Sequence, residues 1–159
     1  MSTPIGHAIV GLALARRFGV KSPLSLGTAV AVANLADADI VLGILLHRDP
    51  WKLHRHSTHT PAFALGAGAL LGALGLIRVD RGVIRRSLFA DALTGAIVAC
   101  SHLALDRLSR PQWRTKPYTP RPLRKQVAGM SVASWLVDAI GCGIISWAIW
   151  PKVRRTARQ

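Results

Sequence analysis

The sequence predicts an all-α protein, an integral membrane helical bundle of about five apolar helices. Half of its 159 residues are hydrophobic, and the mean hydropathy is +0.31. The net charge is +14, but the basic residues fall between the apolar runs, where membrane proteins keep them. A chain of this length suits one compact unit. We therefore expect a single membrane-embedded helical domain over residues 1–150 and a basic tail at 151–159.

The first two predicted helices form a hairpin. Segment 5–15 is apolar and is followed by a basic turn at 16–23. Segment 24–46 is long enough to cross a bilayer, which takes about 20 apolar residues. It contains Asp37 and Asp39, and a carboxylate in hydrocarbon costs at least ~2.5–3.5 kcal/mol. This pair therefore predicts a partner that neutralises its charge.

The third predicted helix, segment 61–77, has a clear beginning. Thr60 is a suitable N-cap, and Pro61 occupies the first helical position, where proline is favoured. The segment also carries small residues at a spacing of four, among them Gly68 and Gly72. Such a stripe lets helices approach closely, and we interpret it as a packing feature.

The fourth and fifth predicted helices contain further polar side chains. Segment 88–108 includes His102 and Asp106, which are four residues apart and therefore share one helix face. Segment 131–150 includes Asp138. We expect this carboxyl either to reach a polar cluster or to hydrogen-bond within the bundle.

Helical hairpins would bring polar residues from distant segments to one level. A turn near residue 22 puts His7 level with Asp37, and a turn near residue 81 puts His59 level with His102. Two such hairpins side by side would collect these side chains in one layer at the end where the long loops lie. The prediction is a single site, with His7 and His59 each within about 12 Å of His102, which is about eight residues of helix rise.

A cluster of aspartates and histidines at low dielectric must be paired or must coordinate a metal. Imidazole and carboxylate suit Zn²⁺ and also Mn²⁺ or Fe²⁺, and such an ion lowers the pKa of water toward ~7, which makes it a nucleophile. A structural polar network and a proton or ion relay are the alternatives. The candidate ligands are His7, Asp37, Asp39, His54, His59, His102 and Asp106, with His56 as a further candidate.

Three residues are candidates for catalysis. One of Asp37 and Asp39 is expected to bind the metal, and the other to act as a general base or to hold a ligand in place. Arg55 is expected to clamp a phosphate or carboxylate bidentately, or to pair with one of these aspartates. The loop 107–127 is strongly basic. It is either a solvated loop on an anionic membrane surface or a lid that attracts a phosphorylated substrate, and nucleic acid is unlikely because no base-reading motif is present.

Four motifs follow one another along the chain. They are His7, Leu35-Ala36-Asp37-Ala38-Asp39, His54-Arg55-His56-Ser57-Thr58-His59-Thr60 and His102-Leu103-Ala104-Leu105-Asp106. This ordered series resembles the YdjM-like family of membrane-bound metal-dependent hydrolases. The resemblance covers roughly residues 4–108, with Ala36 where the family has proline and His56 where it has glycine.

The resemblance implies a function and a location. The family is similar in turn to zinc-dependent phospholipase C, which implies a helical core of that type, one or two divalent ions, most often zinc, and hydrolysis of a phosphodiester or related ester of a lipid. It also implies the bacterial inner membrane, with membrane lipids as partners. The competing hypothesis is a non-catalytic membrane protein with a structural or regulatory metal. The sequence decides neither the oligomeric state nor the side of the membrane that the site faces.

Overall fold

The protein is all-α in the residues that its computed structural model describes, which are 3–50, 52–54, 57–80, 87–108 and 132–151. This confirms the predicted fold class. Two short 3₁₀ turns, Leu35–Asp37 and Ser57–His59, accompany the helices. The α-helices in these ranges are α1 (Pro4–Arg17), α2 (Pro23–Ala33), α3 (Ala38–His47), α4 (Pro61–Ala73), α5 (Leu88–Leu108) and α6 (Val132–Ile149).

Capping residues set where α1 and α4 begin. The Thr3 hydroxyl accepts a hydrogen bond from the Gly6 N–H at 3.2 Å, and the Thr60 hydroxyl accepts one from the Phe63 N–H at 3.2 Å. Each cap satisfies a backbone donor that has no partner inside its own helix. In both helices a proline follows the cap. The predicted start of the third apolar segment is therefore confirmed.

The second predicted segment is broken into two helices. The axis of α2 and that of Leu35–His47 differ by 54°. Asn34 lies at the break, where its side-chain amide donates to the Val30 carbonyl at 2.9 Å. Charged residues within apolar segments face the protein interior, and irregular backbone at membrane depth is tolerated where protein covers it. The break lets the polar stretch that follows Asn34 turn inward.

Few of the described helices are long and apolar enough to cross a membrane. Among the described residues, Leu88–Leu108 is the one helix long and apolar enough to cross a membrane, and the bent pair adds a second if it forms one span. Pro61–Ala73 and Trp135–Ile149 are shorter apolar helices. The integral membrane bundle of about five apolar helices thus stays a prediction.

Helix α5 lies at the centre of the described fold. It packs against α1, α2 and α4, and α1 also packs against α6. The contact between α4 and α5 is made by facing glycines: a Cβ added at Gly72 would lie 2.1 Å from the Asp91 carbonyl oxygen, and one added at Gly95 would lie 2.1 Å from the Gly68 carbonyl oxygen. The stripe of small residues is therefore a packing feature, as predicted, and it fixes α4 against α5.

The outer surface of the described helices is largely apolar. Leu24 is 81% exposed and Trp147 is 76% exposed, and most of the apolar residues of α3 are also exposed. Large apolar side chains exposed to this degree are unusual on a soluble monomer. It suits contact with the hydrocarbon of a bilayer.

Asp138 on α6 holds the beginning of α1. Its Oδ2 accepts hydrogen bonds from the Thr3 N–H at 2.7 Å and from the Thr3 hydroxyl at 2.6 Å. Thr3 is almost fully buried. Of the two expectations for Asp138, the structure shows the hydrogen bonds within the bundle.

Replacing Asp138 with alanine is expected to destabilise the protein. The buried Thr3 donors would lose their acceptor, which costs about 1–3 kcal/mol. Thermal or denaturant unfolding in detergent micelles measures the change. Val137→Ala is the matched control, because Val137 neighbours Asp138 on α6 but is 71% exposed. If the two variants were equally stable, the hydrogen bonds from Thr3 to Asp138 would not be holding α1 in place.

Candidate metal centre

All seven predicted ligands meet at one end of α5. They form three overlapping groups, and within each group the candidate ligand atoms lie within 4.8 Å of one another. The groups are His7, His102 and Asp106; Asp37, His59 and His102; and Asp39, His54 and His59. The fold brings them there from α1, the first 3₁₀ turn, α3, the 52–54 segment, the second 3₁₀ turn and α5.

The middle group forms a triangle of donor atoms. His59 Nε2 and His102 Nε2 are 3.3 Å apart, and each lies 3.5 Å from Asp37 Oδ1. Bonds of about 2.0–2.1 Å to a tetrahedral ion place neighbouring ligand atoms about 3.3–3.4 Å apart. The three atoms therefore have the spacing of three ligands of one ion. The short distance from His59 to His102 also confirms the convergence expected from the hairpins.

The backbone of α2 orients His102. Its Nδ1 lies 2.9 Å from the carbonyl oxygen of Ala33, the last residue of α2. A carbonyl only accepts hydrogen bonds, so Nδ1 carries the proton and Nε2 presents its lone pair to the triangle. A second ring nitrogen bonded to a backbone carbonyl is the usual arrangement for a metal-binding histidine.

His7 and Asp106 lie against the same space. The His7 ring stacks on His102 with centroids 3.8 Å apart, and His7 Nε2 lies 3.7 Å from Asp106 Oδ1. Asp106 Oδ2 is 3.9 Å from His59 Nε2. The contacts of His7 are therefore with His102 and Asp106, although the hairpin argument placed it level with Asp37.

Unsatisfied polar atoms indicate where a ligand fits. His7 is 0% exposed, yet neither of its ring nitrogens has a hydrogen-bond partner among the residues that the structure describes. Asp37 Oδ1 likewise has none in that part of the chain. Buried polar atoms are nearly always paired. Unshared imidazole nitrogens beside a carboxylate oxygen are the donor set that a divalent cation accepts.

Asp39 lies on the other side of His59 from the triangle. Its Oδ1 is 2.9 Å from His54 Nδ1, and its Oδ2 is 3.3 Å from His59 Nδ1 and accepts from the Thr58 hydroxyl at 2.5 Å. Burial lowers the pKa of His54, and the hydrogen bond to Asp39 opposes that shift. His54 is therefore expected to be a neutral ring that donates Nδ1–H to Asp39.

Some predicted site residues cannot be placed against this geometry. Arg55, His56 and the basic loop from residue 109 onward lie outside the described residues. The sequence analysis did not predict two features of the site. One is the Ala33 carbonyl that accepts a hydrogen bond from His102, and the other is the hydrogen bond from Thr58 to Asp39. No side-chain pattern marks a carbonyl, although Asn34 could have suggested a helix end with free carbonyls beside it.

Comparison with known proteins gives the family. No curated protein and no solved structure matches the chain significantly. The model of the YdjM inner membrane protein family matches residues 1–158, which includes α6 as well as every candidate ligand. The match agrees with the apolar surface and with the inner-membrane location expected from the motifs. The chain belongs to the YdjM inner membrane protein family.

Proposed function

We propose that this inner-membrane protein is a metal-dependent hydrolase that cleaves a phosphodiester or related ester of a lipid. The observation that carries the proposal is the donor triangle of Asp37 Oδ1, His59 Nε2 and His102 Nε2, with sides of 3.3, 3.5 and 3.5 Å. The resemblance of the motifs to membrane-bound hydrolases and to zinc-dependent phospholipase C supports the reaction class.

One ion accounts for the nearest donors. An imidazole has two nitrogens, and His102 already uses Nδ1 on the Ala33 carbonyl, so His102 can bind only one ion through Nε2. That ion would be held by Asp37, His59 and His102. His7 and Asp106 lie beside the same space and would complete its ligands or bind a second ion.

In the proposed hydrolysis, the ion and the side chains have different tasks. A divalent ion supplies Lewis acidity toward a phosphoryl oxygen and lowers the pKa of water. If His7 and Asp106 do not bind metal, His7 Nε2 and Asp106 Oδ1, which are 3.7 Å apart, would hold or move the proton that an attacking water must lose. Arg55 would clamp the phosphate, since a guanidinium binds two oxygens at once.

The surroundings of the site favour a lipid as the substrate. The chain is an inner-membrane protein with an apolar outer surface. The site lies beside the start of α3, whose apolar side chains are mostly exposed. Membrane lipids bring their esters to such a surface without leaving the bilayer.

One observation favours the alternative, a structural or regulatory metal in a non-catalytic protein. His7, His102 and Asp106 are almost completely buried, and up to five donors surround the same space. A structural ion is saturated by protein ligands, whereas a catalytic ion keeps one position for water or substrate. The test must therefore measure turnover as well as binding.

We expect the purified protein, loaded with a divalent ion in detergent, to hydrolyse phospholipids or generic phosphodiesters and to lose this activity with a chelator. Asp37→Asn is expected to lower turnover by at least about 100-fold, the scale of losing a positioned catalytic group. Asp80→Asn is the control, because Asp80 is half-exposed on the surface and lies 3.6 Å from Lys21. Metal retained without turnover on any ester would favour the structural alternative.

A further inference from the structure

We infer that Asp39 is a positioning residue that fixes the ring of His59 and does not itself bind the ion or act as the general base. This role rests on the proposed metal site, where His59 is one of three ligands. It separates the two aspartates that the sequence left interchangeable.

Both carboxylate oxygens of Asp39 are already engaged by neighbouring donors. Oδ1 lies 2.9 Å from His54 Nδ1, and Oδ2 accepts from the Thr58 hydroxyl at 2.5 Å and lies 3.3 Å from His59 Nδ1. Asp39 is 3% exposed. An ionised carboxylate only accepts hydrogen bonds, so His54 Nδ1 and the Thr58 hydroxyl donate to it. A proton on His59 Nδ1 would have Oδ2 as a neighbouring acceptor.

The consequence for His59 is a fixed tautomer. The Thr58 oxygen also lies 3.2 Å from His59 Nδ1, so Asp39 and Thr58 together present two acceptors to that nitrogen. A proton held on Nδ1 leaves the lone pair on Nε2, the atom 3.3 Å from His102 Nε2. Asp39 thus orients His59 in the way that the Ala33 carbonyl orients His102. A carboxylate that accepts a hydrogen bond from the second ring nitrogen commonly orients a metal-binding histidine.

The geometry around His59 gives Asp37 the opposite role. Asp37 Oδ1 lies 3.5 Å from Nε2 of both His59 and His102, whereas Asp39 lies on the Nδ1 side of the His59 ring. The two nitrogens of an imidazole point away from each other and cannot bind the same ion. Asp39 therefore cannot share with His59 the ion that Nε2 would hold.

The local backbone explains how two aspartates so close in sequence reach opposite sides of one ring. Residues two apart on a regular helix point about 200° apart around its axis. Asp37 ends the 3₁₀ turn, and Asp39 lies in the first turn of α3. The second 3₁₀ turn, Ser57–His59, places the His59 ring between them.

The test compares Asp39→Asn with Asp37→Asn in the full-length protein in detergent micelles, and uses Thr58→Val and Thr58→Ser as a matched pair. Imidazole ¹⁵N NMR of the metal-free proteins reports which nitrogen of His59 carries the proton. Titration with Zn²⁺ reports affinity and stoichiometry. Neither measurement needs a substrate.

We expect metal-free wild type to hold His59 with the proton on Nδ1, and Asp39→Asn to give a mixture of tautomers. Zn²⁺ affinity should fall about 10–100-fold with unchanged stoichiometry, the usual cost of removing a residue that orients a ligand. Thr58→Val should bind Zn²⁺ several-fold more weakly than wild type. Thr58→Ser keeps the hydroxyl and should bind Zn²⁺ with wild-type affinity.

The role would be overturned if Asp39→Asn left the His59 tautomer unchanged and abolished Zn²⁺ binding as completely as Asp37→Asn does. Asp39 would then be a ligand. A wild-type protein that bound no ion would instead contradict the proposed function. In that case the tautomer of His59 in metal-free protein would still decide whether Asp39 orients the ring.

Discussion

The purified protein is expected to bind a divalent transition metal at close to one ion per chain, and His102→Ala is expected to abolish this binding. His102 supplies one corner of the donor triangle, and the Ala33 carbonyl has already oriented it. His102 is also the residue that the group of Asp37 and His59 shares with the group of His7 and Asp106, so its loss breaks both groups of ligands. Elemental analysis after reconstitution with Zn²⁺ or Mn²⁺ and dialysis measures the stoichiometry.

His47→Ala is the control for this experiment, because His47 is an exposed histidine at the end of α3 and should not affect binding. Binding should also weaken as the pH falls, since histidines coordinate a metal in the neutral form and protons compete for the same nitrogens. A wild-type protein without any transition metal after reconstitution would contradict the metal site. The cluster would then be a hydrogen-bonded polar network.

Gly95→Ala is expected to separate α4 from α5 and to disrupt the site with them. The new Cβ would lie 2.1 Å from the Gly68 carbonyl oxygen, and neither backbone can yield without moving its helix. Overpacking of a tight contact costs about 1–3 kcal/mol or more. Because His59 lies two residues before the start of α4 and His102 lies on α5, the donor triangle should widen and metal affinity should fall together with stability.

Gly66→Ala is the matched control on α4, where an added Cβ would meet nothing within 4 Å. It should be neutral or slightly stabilising, since alanine favours a helix over glycine by about 1 kcal/mol. Thermal unfolding in detergent and metal titration are measured on both variants. If Gly95→Ala unfolded at the wild-type temperature and bound metal with wild-type affinity, α4 and α5 would not pack through this contact.

Much of the fold follows from local signals. The Thr60 cap and Pro61 give the start of α4, and the apolar run 88–108 coincides with α5. Such features depend on neighbours in sequence: a cap needs only the backbone groups of its own helix, and an apolar run needs only its length. The spacing of His102 and Asp106 likewise predicts that they share one helix face.

The second apolar segment shows where local signals fail. Its composition is that of a continuous span, yet α2 ends at Ala33 and the axis turns by 54°. The bend depends on where Asp37 and Asp39 find partners, and those partners, His54, His59 and His102, belong to other parts of the chain. Apolar periodicity carries no information about them.

The sequence by itself determined the all-α class, the membrane character and the set of histidines and aspartates that could bind a metal. Residue types and their spacing are enough for these, because each depends on hydrophobicity or on the chemistry of single side chains. Only the tertiary structure decided that Asp37 faces Nε2 of His59 while Asp39 lies at Nδ1, and that a carbonyl of α2 orients His102. The role of a side chain depends on which atom of a distant partner it meets, and packing alone sets that.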